Sequence, residues 1–232
     1  MNLSKMTIAA ASTLALASCA SGPKITPEDC AGADWYAVGL QHGKVGANVT
    51  EINPAVQACG ETPTPVNIDR YNEGRSEGLK TFCTPLTILE SATQGQGDPY
   101  SCDPITPSLK ASIDKGVETR AAIARYQQYE AQYKQLTDQK AQTQQQLQQI
   151  QQEGQQLQRS LPNASDTTSP TRVQIQQRIA YLQQQYTAGN QQLAQLNQSI
   201  KDADPVMQTE KQTYDSAVQS YNAYKSSLGG GT

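Results

Sequence analysis

From Thr119 onward, apolar and aromatic residues recur at alternating steps of three and four. One series runs Thr119, Ala122, Tyr126, Tyr129, Tyr133, Leu136, Lys140, Thr143, Leu147, Ile150, Gly154, Leu157 and Leu161, with nine of 13 positions apolar or aromatic. A second runs from Ile175 through Ile179, Leu182, Tyr186, Gly189, Leu193, Leu196, Ile200, Ala203, Met207, Glu210, Tyr214, Ala217, Tyr221 and Tyr224 to Leu228, with 14 of 16. A 3.5-residue period sustained over several heptads means helices that wind around a partner with a left-handed twist. Leu161 to Pro170 separates the series with two prolines and a cluster of Asn, Asp, Ser and Thr, which is turn chemistry. Two long helices around one turn make an antiparallel hairpin. The expectation is a coiled-coil hairpin over residues 105–228, with the Gly-rich residues 229–232 frayed at its end.

Glutamine is the anomaly of this half. The chain holds 33 Gln, 29 of them at or after Gln127. Gln tracts can be disordered or prone to aggregate, but Gln is also a good helix former, and the apolar seam persists straight through the Gln runs. Helix is the better reading. The first arm, about 45 residues, would be about 65–70 Å long at 1.5 Å per residue. Several seam positions hold Tyr, whose hydroxyl must reach water or a partner. Tyr126, Tyr133 and Tyr186 are therefore candidates for a partner surface. A turn centred near Asp166 would set Tyr133 against Ile200, Leu136 against Leu196, Gly189 against Thr143 and Tyr224 against Leu109. Asp204-Pro205 lies inside the second series, where Asp204 could cap a restarted helix or Pro205 could kink a continuous one.

The first residues read as an address. Lys5 precedes Met6 to Ala17, which is apolar or small throughout, the length of a signal-peptide core and too short to span a bilayer. The stretch ends in Leu16-Ala17-Ser18-Cys19, which resembles the bacterial lipobox, in which the Cys thiol is lipidated and becomes the new N-terminus. Residues 1–18 are then a lipoprotein signal peptide, Cys19 the lipidation site and 19–29 a tether. Each acyl chain would contribute about 0.8 kcal/mol per buried CH₂, so three chains hold firmly. Ala20 stands where Asp would signal inner-membrane retention. By that resemblance the protein is expected at the outer membrane, lipid-anchored and facing the periplasm.

Between tether and hairpin lies a Cys-bearing head, residues 30–104. Cys30, Cys59, Cys83 and Cys102 are an even set in an oxidising compartment, which reads as two disulfides with three possible connectivities. The most local pairing, Cys30–Cys59 with Cys83–Cys102, is favoured. Their spacings match no common zinc motif, so no metal is assigned. Helix signals dominate: Trp35, Val38 and Leu40 at helical spacing, Asn53-Pro54 as a cap followed by Pro, Gly60 as a stop, and Asn67 capping a helix through Phe82. Glycines recur four apart, Gly39 with Gly43 and Gly74 with Gly78. Each costs about 1 kcal/mol relative to Ala inside a helix, which points to close helix–helix approach. The fold class expected is all-α: a small disulfide-stapled helical head plus a long antiparallel coiled-coil hairpin.

The run Asp34-Trp35-Tyr36-x-x-Gly39-x-x-His42-Gly43, then Cys59, then Asp69-x-Tyr71-x-x-Gly74-Arg75-x-x-Gly78-Leu79-x-x-Phe82-Cys83, then Gly95-x-Gly97-x-x-Tyr100 and Cys102, resembles domain of unknown function 2799, found in bacterial lipoproteins. The resemblance covers residues 30 to 120. It implies an envelope location and supplies no reaction or substrate. His42 stands where the family pattern leads one to expect an acidic residue.

A formal net charge of −3 with no basic patch disfavours nucleic acid as a partner. One His leaves little for His-based triads. Asp34, His42, Asp69, Arg70, Glu73, Arg75 and Glu77 are the chemistry-bearing candidates of the head. No nucleophile accompanies His42, and carboxylates one turn apart on a helix usually form a solvated face. No catalytic residue and no cofactor are assigned, and the chain is not read as an enzyme. Trp35, His42 and Arg75, with the three tyrosines above, are the candidates for an interaction surface. The functional expectation is a structural or interaction lipoprotein. It would touch the membrane through its lipid and another envelope protein through the hairpin. The alternative is a regulatory subunit of a periplasmic enzyme or efflux assembly. The sequence leaves the oligomeric state open.

Overall fold

The structure, a computed structural model, describes residues 26–161 and 170–229. The signal segment, Cys19, most of the tether, the turn between the arms and residues 230–232 lie outside the described residues. The described chain is all-helical, without strands. Its six helices are α1 (Trp35–Lys44), α2 (Asn53–Cys59), α3 (Ile68–Phe82), α4 (Pro85–Gln94), α5 (Pro107–Ser160) and α6 (Pro170–Gly229). Contacts divide it into two compact units, to Lys80 and from Thr81. The expected head, 30–104, is thus shared between them: the Cys30–Cys59 disulfide belongs to the first unit and Cys83–Cys102 to the second.

In the first unit, Asp34 caps α1 by accepting from the Ala37 N–H at 3.1 Å, and Asn67 caps α3 by accepting from the Arg70 N–H at 3.0 Å. The expected cap at Asn53 is displaced. A 3₁₀ turn, Val49–Ile52, runs straight into α2, so Asn53 is already helical, and the capping side chain is that of Asn48, which accepts from the Thr50 N–H. The disulfide Cys30–Cys59, Trp35, Ile52, Ala55 and Tyr71 form one buried cluster. Trp35, expected on an interaction surface, is instead 7% exposed within this core. A unit this small uses its largest apolar side chain to cover the disulfide.

The glycines explain how α1 and α3 meet. A methyl built on Gly39 would overlap the Tyr71 carbonyl, and one on Gly43 would overlap the Arg75 carbonyl. Reciprocally, Gly74 faces the Tyr36 carbonyl and Gly78 the Leu40 carbonyl. The two backbones are in direct contact along two turns. That contact offsets the helix propensity lost at four glycines, through dispersion and Cα–H···O contacts.

In the second unit, Thr84 caps α4 with Pro85 in its first turn, and Gly95, at φ +69°, ends it in the left-handed conformation that favours glycine. Ile88, Leu89 and Ala92 of α4 are buried, as are Leu109 and Ile113 of α5. Gly116 lets the two helices close: a methyl there would lie 2.6 Å from the Ala92 Cβ. The Lys225 ammonium of α6 reaches the Glu90 carboxylate of α4 at 2.7 Å.

α5 and α6 form the antiparallel coiled-coil hairpin, with 54 and 60 residues. The first arm, capped by Thr106, is longer than the expected 45 residues. At 1.5 Å per residue it extends about 80 Å. Across the seam Gly189 lies on the Leu147 side chain, the Tyr133 hydroxyl bonds Asp204, and the Tyr224 hydroxyl reaches both Ser112 and the Ser108 carbonyl beside Leu109. Ile150, Gly154, Ile179 and Leu182 line one stretch of it. Helical side chains lean toward their own N-terminus, so in an antiparallel pair the tips that meet belong to residues about a turn beyond those whose backbones stand level, and these contacts agree with a turn centred near Asp166. Leu147 fills the gap that Gly189 leaves. α6 also runs through Pro205 without interruption, and Asp204 caps no restarted helix: its carboxylate accepts from the Tyr133 hydroxyl at 2.6 Å.

Candidate functional site

The densest polar cluster of the first unit is carried by the glycine crossing. Because α1 and α3 touch at backbone level, the side chains flanking the glycines are brought together. The His42 Nδ1 and the Tyr71 hydroxyl share a hydrogen bond of 2.9 Å, and the two rings meet edge to face with centroids 5.6 Å apart. Arg75, one turn beyond Tyr71, donates from its guanidinium to the Ala47 carbonyl at 3.0 Å, closing the loop after α1 against α3. Tyr71 is 1% exposed, and its ring belongs to the core beside Trp35 and the disulfide.

Burial sets the protonation states. It lowers the His42 pKa from its ordinary 6.5; Glu51 opposes the shift and Arg75 adds to it. Burial likewise raises that of Tyr71, with Arg75 opposing and Glu51 adding. His42 is thus a neutral imidazole at pH 7, tied to a neutral phenol. Such a pair fixes a ring orientation and cross-links two helices. With Tyr71 buried, its hydroxyl offers no open approach to a reacting molecule.

The other candidates are not gathered around His42. Asp34 is occupied as a helix cap. Arg70 pairs with Glu73 at 2.5 Å and lies over the Tyr36 ring at 5.0 Å, and Lys80 pairs with Glu77 at 2.5 Å. Asp69, Glu73 and Glu77 are all exposed, so that helix face is solvated. Among the described residues, no group of three or more His, Cys, Asp or Glu side chains could hold a metal ion. No helix among them is long and apolar enough to cross a membrane.

The three seam tyrosines brace the hairpin from within. The Tyr133 hydroxyl bonds Asp204, the Gln151 amide donates to the Tyr186 hydroxyl at 2.6 Å, and Tyr126 stacks on Tyr214 with centroids 4.9 Å apart. Their polar ends are held within the chain: Asp204 and Gln151 on the opposing arms serve Tyr133 and Tyr186, and Glu130, one turn along the same helix, accepts from the Tyr126 hydroxyl. Two features escaped the sequence reading. Helix α4 was signalled by Thr84-Pro85 and Gly95, a cap, a first-turn Pro and a glycine stop. Glu210 interrupts the seam: one of its carboxylate oxygens is buried without a hydrogen bond, 4.0 Å from the Arg125 guanidinium.

Residues 34–118, from the cap of α1 into α5, match the family model described as Protein of unknown function (DUF2799). The resemblance read from the Trp, Gly, Tyr and Cys positions therefore holds over this span. No curated protein and no solved structure matches the chain.

Proposed function

We propose that this protein is a lipid-anchored lipoprotein of the outer membrane, facing the periplasm. Its role is structural or interactive rather than catalytic, and its helical hairpin is the arm that meets an envelope partner. The observation that carries the reading is Leu16-Ala17-Ser18-Cys19 at the end of an apolar stretch. Two disulfides support it, since thiols persist as disulfides in oxidising compartments. The hairpin supports the structural part. Two helices of more than 50 residues, cross-braced by side chains from both arms, make a stiff arm of about 80 Å. The His42–Tyr71 pair acts in this reading as a brace between α1 and α3. The test is a Cys19→Ser variant made alongside the wild type. The wild type should take up labelled fatty acid and sediment with membranes, and the variant should do neither. Equal labelling and sedimentation of the variant would overturn the proposal.

A further inference from the structure

The distal hairpin carries a face without charge. No Asp, Glu, Lys or Arg occurs between Lys140 and Glu153 or between Arg178 and Lys201. The observed register lays these two stretches side by side, with Leu147 on Gly189 and Gln151 on Tyr186. Within them the two faces of the hairpin differ. On one, Gln144, Gln148, Gln151, Gln155 and Gln158 follow one another at steps of four and three, so they form a single stripe along α5, and all are exposed. Opposite, Gln183, Thr187, Asn190, Ala194 and Asn197 form the matching exposed stripe of α6. The other face carries the ion pair of Arg178 with Glu153 at 2.7 Å.

The uncharged face also has a groove. Gly154 has nothing within 4 Å of where a Cβ would lie, so the seam opens there. Ile150, Ile179 and Leu182 line the opening together with the amides of Gln151, Gln155 and Gln183. The result is an apolar floor between two amide walls.

We infer that this face docks on the same face of a second copy of this chain. The argument is one of complementarity. A partner with charged side chains would lose their hydration against a face that offers no counter-charge. An amide both donates and accepts, so a row of Gln is complementary to another row of Gln in either direction. Two such faces brought together by a two-fold rotation satisfy each other's amides and cover both grooves, making four helices from two hairpins. The stripe spans about 20 Å at 1.5 Å per residue. Across two helices about 10 Å wide it covers roughly 400 Å² per copy, about half of what a standard stable interface takes from each partner. The association is therefore weak and concentration-dependent.

Sedimentation velocity of the full chain over a range of concentrations reads this directly. The wild type should pass from monomer to dimer as concentration rises. Changing Gln148, Gln151 and Gln155 together to Glu should weaken the dimer at least tenfold, since like charges would then face each other across the axis. The same three positions changed to Lys should do likewise, and an equal mixture of the two variants should restore the dimer. Gln142, Gln146 and Gln149 changed to Glu, on the opposite face, should leave it unaltered. A wild type that stays monomeric throughout overturns the inference. So does equal weakening from both faces, or a mixture that fails to reassociate while each variant keeps the wild-type helical signal.

Discussion

His42 is the side chain whose chemistry depends most on its surroundings. Its pKa is lowered, chiefly by burial and further by Arg75, so the folded state prefers the neutral ring. A chain that unfolds releases it to protonate at about 6.5, its ordinary value. The unfolded state then binds more protons below that pH, so the stability the neutral ring contributes is present above 6.5 and falls as pH drops through the lowered value. Urea denaturation at pH 7.5 and pH 5 should show a loss for the wild type that His42→Gln lacks; equal slopes would remove His42 from the account. The glycines make a second claim at this scale. Gly74→Ala drives a methyl into the Tyr36 carbonyl, which cannot yield without parting α1 from α3. The expected cost is about 1–3 kcal/mol in the same denaturation experiment, against a gain of up to about 1 kcal/mol for Gly154→Ala, which has open space inside a helix. A Gly74→Ala chain as stable as wild type would contradict the close crossing.

At the scale of the element, the hairpin register is the sharpest statement. The Leu147 side chain lies on Gly189, and Gln151 bonds Tyr186. A chain carrying Leu147→Cys with Gly189→Cys should form an intramolecular disulfide readily, and one carrying Gly154→Cys with Gly189→Cys, two turns away, should not. The reverse preference would contradict this register, and bridges only between chains would exclude a hairpin. The register marks what periodicity can and cannot fix. A 3.5-residue repeat defines which face of each helix is buried, and that face was legible from Ala122 to Leu228. The axial offset depends on how individual volumes fit across the seam, and the repeat is nearly blind to it. The same distinction holds in the first unit. The four-residue glycine spacing announced a close crossing, and Asn67 announced a cap. The partnership of His42 with Tyr71, 29 residues apart, depends on which face of α1 meets which face of α3. Trp35 was legible as important but not as buried, since an aromatic residue at helical spacing suits a core or a surface equally.

At the scale of the whole molecule, the two units serve one reading from different sides. The first holds its small core with a disulfide and a backbone-level crossing, and a DUF2799 match begins there at residue 34 and continues to residue 118. The second gives most of its length to a stiff arm, whose seam tyrosines are bound internally and whose Gln stripes are left to the outside. In the proposed reading this arm works by reaching, and the fixed point it reaches from is the lipid on Cys19. The most direct measurement is the intact mass of the protein extracted from membranes of cells that make it. The account predicts a chain that starts at Cys19, carries the added mass of three acyl chains with the glyceryl linkage, and lacks four hydrogens for its two disulfides. A chain that retains residues before Cys19, or that starts there without acyl mass, would contradict it.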